Sequence, residues 1–84
     1  MFEDQVVVVT GGAGALGQAV VRYFLTRGAV VVSVDYSQAL LDTAFPNPVD
    51  QCHLAVCDLT SRSDCASFSE RLLQTHGAVD VLCN

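Results

Sequence analysis

The sequence predicts the α/β class: the N-terminal portion, βαβαβαβ, of a doubly wound parallel sheet. Three observations point there. Short runs of β-branched residues, Val6–Val9 and Ala29–Val34, read as strands buried on both faces. Segments with a helical apolar period separate them. A glycine-rich stretch, Thr10-Gly11-Gly12-Ala13-Gly14-Ala15-Leu16-Gly17, stands where the first strand would turn into the first helix. Strands alternating with helices imply parallel pairing, with right-handed crossovers that place helices on the sheet faces.

The elements follow in order. Val6–Val9 is the first strand. Leu16, Val20 and Phe24 then recur every four residues, flanked by Val21 and Leu25, with Arg22 and Arg27 outside the stripe. Gly28 is read as closing that helix at C′. The second strand runs to Asp35, and Ser37 is a good N-cap for a short helix through Ala44. Phe45-Pro46-Asn47-Pro48 is a loop, because two prolines so close together forbid regular structure. Gln51–Cys57 is a third strand that ends at Asp58-Leu59. Thr60 or Ser61 can cap a third helix, with Asp64 completing a capping box from Ser61. Cys65, Phe68 and Leu72 share one helix face, Gly77 stops the helix, and Val79–Cys83 begins a fourth strand.

Composition limits the function classes. The chain has 84 residues, enough for one small domain that buries roughly 60–65% of its unfolded surface. Hydrophobic residues make up 51%, which argues against disorder. Nine acidic residues stand against four arginines and no lysine, for a net charge of −5. Such a chain has no basic stripe for nucleic acid or an anionic membrane. No apolar stretch approaches a membrane span. The N-terminus is acidic where a signal peptide is basic, so the expected compartment is the cytoplasm. Cys52, Cys57, Cys65 and Cys83 form no C-x-x-C pair. Cys52 and Cys57 would point to opposite faces of a strand, and all four are read as buried reduced thiols, with no metal site.

The glycine stretch fits a phosphate cradle. A helix N-terminus presents unpaired N–H groups and a positive dipole end, and glycines remove side chains from the approach. Gly12-Ala13-Gly14-Ala15-Leu16-Gly17 is a G-x-G-x-x-G; alone, such a motif is equally a tight helix–strand turn. Asp35 follows Gly17 by eighteen residues, at a strand end where a carboxylate can accept from adenosine ribose hydroxyls. It would repel a 2′-phosphate about 4 Å away by up to ~4 kcal/mol at an effective dielectric near 20. No Arg or Lys adjoins it, so NAD is favoured over NADP.

The glycine stretch, Asp35, Cys57-Asp58-Leu59-Thr60 and His76–Asn84 together resemble the short-chain dehydrogenase/reductase family, whose domain is a Rossmann fold. The resemblance spans the chain. It implies that Gly11, Gly14, Leu16 (through its backbone) and Gly17 surround the cofactor pyrophosphate. Asp35 would take the ribose, Asp58 the adenine amino group and the Leu59 backbone the adenine ring. Asn84 would open the family's N-N-A-G stretch beside the cofactor. The commonest pattern, T-G-x-x-x-G-x-G, has glycine where this chain has Ala15. The T-G-x-x-G-x-x-G spacing present here is typical of the extended branch of nucleotide-sugar epimerases and dehydratases, whereas His76–Asn84 favours the dehydrogenase branch.

The family's acid–base chemistry uses Ser and Y-x-x-x-K. With no lysine, residues 1–84 hold no such motif and no catalytic residue is expected among them. Tyr23 and Arg27 have only the spacing, and are read as helix packing and a helix C-terminal charge. The expectation is therefore the cofactor-binding portion of a longer NAD-dependent oxidoreductase, cut after its fourth strand. That parent would be a homo-oligomer acting on an alcohol or carbonyl small molecule. The alternatives are an extended-branch epimerase or dehydratase fragment, and a stand-alone NAD-binding module without catalysis. A Rossmann methyltransferase is a remoter reading.

Overall fold

The computed structural model describes residues 1–84. Its order is β1 (Val6–Thr10), α1 (Ala15–Leu25), β2 (Val30–Asp35), α2 (Gln38–Ala44), β3 (Cys52–Val56), α3 (Arg62–His76) and β4 (Val81–Cys83). The four strands form one parallel sheet in the order β3-β2-β1-β4. Val7 pairs with Val31 on one side and Val81 on the other, and Val31 pairs with Cys52. The sheet grows outward from β1 to β3, then reverses to place β4 on the other flank of β1. That reversal sends α3 to the face opposite α1 and α2.

Alternation along β1 feeds both faces. Val7 and Val9 pack with Val21 of α1, Val31 and Phe45. Val6 and Val8 pack with Val32, Val34 and the α3 residues Phe68 and Leu72. Cys52 joins the first cluster and Cys57 the second, so they face opposite sides as the strand period requires. Burial pushes both thiols up from their ordinary pKa, and for Cys57 the neighbouring Cys65 adds to it. Cys65 and Cys83 are only half-buried, which corrects the expectation of four buried thiols. Each sits at an element end, where one side opens to solvent.

Local chemistry sets the element ends. After α1 the chain turns through Gly28 (φ 85°). The Gly28 N–H reaches the Leu25 carbonyl at 3.1 Å, and the Ala29 N–H reaches Phe24 at 3.2 Å. These are the paired bonds of a glycine-terminated helix. Ser37 and Ser61 cap α2 and α3, each hydroxyl accepting from the N–H three residues on at 3.3 Å. The capping box at Ser61 is only half made. The Asp64 carboxylate accepts from the Asp58 N–H at 3.3 Å rather than from Ser61, whose N–H is taken by the Asp58 carbonyl. Asp80 ties the start of β4 to β1, since its carboxylate accepts from the Val6 N–H at 2.7 Å. No helix is long and apolar enough to cross a membrane.

Candidate functional site

All four strands end on one edge of the sheet, and the glycine loop leaves β1 there. Gly11 takes φ 65°, a left-handed conformation that favours glycine. The Gly14 N–H closes a turn onto the Gly11 carbonyl at 3.0 Å, and Gly14 becomes the N-cap of α1. A Cβ on Gly17 would stand 2.1 Å from the Gly11 carbonyl oxygen, so only glycine lets the helix lie against the loop. The first intrahelical bond is from the Gln18 N–H to Gly14 at 2.8 Å. The N–H groups of Ala15, Leu16 and Gly17 are thus left without a protein acceptor, and no acidic residue occupies that turn. This is a positive helix end open to an anion.

Two clefts flank the loop and share Gly11. One, of about 310 Å³, is lined by Gly11, Gly14, Leu16, Gly17, Cys83 and Asn84 among others. The second, of about 610 Å³, is lined by Gly11, Asp35, Tyr36, Cys57, Asp58, Leu59 and Thr60. All eight residues singled out in the sequence therefore line one or other of two strand-end clefts that share Gly11. Together the clefts carry two carboxylates and no Arg side chain.

Asp35 does more than face the cleft. One carboxylate oxygen accepts from the Ala13 N–H at 3.1 Å and the other from the Tyr36 N–H at 2.8 Å. It ties the glycine loop to the end of β2, while each oxygen keeps lone-pair capacity for another donor. The Asp58 carboxylate accepts from the Thr60 hydroxyl at 2.6 Å and the Thr60 N–H at 3.0 Å. Those bonds hold its carboxyl below the usual carboxylate range. Asn84 is reached by the Thr10 hydroxyl, at 3.2 Å from its side-chain oxygen; the same hydroxyl lies 3.2 Å from the Cys83 carbonyl.

Leu16 opens the apolar stripe of α1 but lies outside the core. Its side chain is 80% exposed and forms a cleft wall. Sequence reasoning also passed over Gly12. A Cβ there would meet the Ser33 hydroxyl at 1.9 Å, so the loop can lie on β2 only with glycine at this position. The signal was present, since Gly12 opens the G-x-G-x-x-G. Tyr23 lines neither cleft. Arg27 stacks over its ring at 3.6 Å and donates to the Tyr23 carbonyl at 3.0 Å.

Comparison with known proteins bears on this surface. The family model described as short chain dehydrogenase matches residues 5–84. A 3beta-hydroxysteroid dehydrogenase 2 of Eggerthella lenta is 30% identical over 87 residues, covering 100% of this chain and 34% of the relative. A 3-oxoacyl-(acyl-carrier-protein) reductase of Thermotoga maritima is 32% identical over 89 residues, covering 99% of this chain and 35% of the relative. This chain thus spans about a third of the length of these relatives. Among solved structures, a 3-ketoacyl-(acyl-carrier-protein) reductase from Brucella melitensis complexed with NADH superposes with TM-score 0.85 at 28% identity, over 95% of this chain and 33% of that one. A metagenomic short-chain oxidoreductase in complex with NADP superposes with TM-score 0.86 at 29% identity, over 96% of this chain and 38% of that one.

Proposed function

Because this chain belongs to the short-chain dehydrogenase family, we propose that residues 1–84 are the NAD-binding portion of an oxidoreductase that acts on an alcohol or carbonyl compound. One observation carries the reading: the two clefts meet at Gly11, beneath a helix end whose Ala15, Leu16 and Gly17 N–H groups are free. A dinucleotide has this form, two nucleoside halves joined by a pyrophosphate.

Each residue then has a task that its own chemistry supports. Gly11, Gly14 and Gly17 keep side chains out of the pyrophosphate's approach, and the Leu16 N–H adds a donor. Asp35 accepts from the adenosine ribose hydroxyls and, through Ala13, holds the loop that binds the phosphates. Asp58, oriented by Thr60, accepts from the adenine amino group, and the Leu59 backbone borders the ring. Asn84, fixed by Thr10, stands at the far end, beside β4. When bound, the nicotinamide supplies or accepts the hydride. The proton in that reaction needs an acid–base group from outside residues 1–84, which contain no lysine to complete a Tyr–Lys pair.

NAD over NADP follows from charge. Asp35 and Asp58 both face the adenosine cleft, and no cation lines it. Half of the ~4 kcal/mol repulsion between Asp35 and a 2′-phosphate still exceeds tenfold in affinity. Fluorescence titration with NADH and NADPH tests this. NADH should bind at least about tenfold tighter, and Asp35→Asn should narrow the gap. Equal affinities for the unaltered chain would remove the NAD assignment.

A further inference from the structure

A second site lies away from the nucleotide surface. His53, exposed on the edge strand β3, and His76, half-buried in the last turn of α3, have ring centres 5.1 Å apart with their planes at 69°. They are twenty-three residues apart in sequence and meet only because α3 crosses back over the sheet. Both line a cleft of about 440 Å³, between β3 and α3, with Gln38 at its rim. None of the eight nucleotide-site residues borders that cleft. Two imidazoles packed ring to ring gain little from each other as bases.

We propose that His53 and His76 form a two-histidine binding site for a borderline divalent transition ion of the zinc type. Imidazole suits such ions, and metal–nitrogen bonds of about 2.0–2.1 Å at a tetrahedral angle put two ring centres about 5 Å apart, the spacing seen here. Two positions on the ion stay open to water. The ion takes neutral imidazoles, so binding should weaken as the pH falls. Arg71 is the one fixed charge that lines the cleft, and it opposes a cation, so the affinity is modest. The bound ion would fasten α3 to the edge strand.

The test is a zinc chloride titration of the full chain at about pH 7.5, above the ordinary imidazole range, followed by the ring-proton resonances of both histidines. Both sets should move along one saturating curve. His53→Gln and His76→Gln should each weaken binding about tenfold or more, because the second ligand acts at high effective concentration. His53 is exposed, so its variant keeps the fold, with circular dichroism as the control. Arg71→Gln should tighten binding. Zinc that leaves both imidazoles unmoved and titrates the half-exposed Cys65 or Cys83 instead would overturn the proposal. So would single variants that bind zinc as the unaltered chain does.

Discussion

The two faces of the sheet are built from the same valines but are finished differently. On the α1/α2 face, two helices cover β1 and β2, and Val7, Val21, Ala29 and Val31 are fully sealed. On the opposite face α3 is the sole cover. It buries only Phe68 and Leu72, and beside it runs an apolar groove of about 340 Å³ that reaches Val8, Leu59, Val79 and Leu82. The proposed cofactor surface straddles this difference. Its phosphate end rests on α1, on the closed face. Its adenine end, Asp58 and Leu59, is the connection into α3, on the open face. On that proposal the phosphates meet the sealed face and the base meets the open one.

Cavity mutations give the largest contrast. Leu41 of α2 is fully buried, so Leu41→Ala should cost about 3 kcal/mol in urea unfolding. Leu72 lies at the mouth of the groove, 9% exposed, so Leu72→Ala opens less new void and should cost about 2 kcal/mol. A reversed order would break the distinction between a sealed and an open face.

The caps sharpen the comparison at smaller scale. Ser37→Ala and Ser61→Ala each remove one hydroxyl acceptor and should cost about 1 kcal/mol. Both should also weaken nucleotide binding, since Ser37 directly follows Asp35 and Tyr36 and Ser61 anchors the turn that carries Asp58. If Ser61→Ala binds NADH as the unaltered chain does, the α3 turn takes no part in the site.

Thiol reactivity reports the faces without mutation. Burial keeps Cys52 and Cys57 protonated and covered, so iodoacetamide should label Cys65 and Cys83 first. Mass mapping of the labelled peptides reads the order, and early labelling of Cys52 would show that the closed face opens.

The smallest effect is electrostatic. Asp58 has a lowered folded-state pKa, so its contribution is present above the ordinary carboxylate value near ~3.9 and is lost as pH falls through the lowered value. Thr60→Ala removes the hydroxyl bond but keeps the backbone N–H, so the Asp58 titration should move part of the way back toward the ordinary range, as carboxyl NMR would show. An unchanged titration would mean that Thr60 does not orient Asp58.

Much of this was legible in the sequence. Valine runs, capping serines and Gly28 act on their immediate neighbours, and local chemistry decided β1, β2, α2 and the end of α1. The turn of the glycine loop was legible for the same reason. What escaped depends on where elements end in space. Periodicity could not separate Leu16 as a cleft wall from Val20 and Phe24, which fall on the same helical stripe but pack against the core. Asp64 has the right spacing for a capping box, but a competing donor at Asp58 takes its carboxylate. The meeting of His53 with His76 needs the crossover itself, which no short-range pattern encodes.

The central claim is that one dinucleotide bridges both clefts across Gly11. Amide NMR during a single NADH titration tests it most directly. The account predicts that Ala15, Leu16 and Gly17 on one side and Tyr36, Asp58 and Leu59 on the other shift together with one Kd. Shifts confined to one group, or two groups titrating with separate constants, would contradict it.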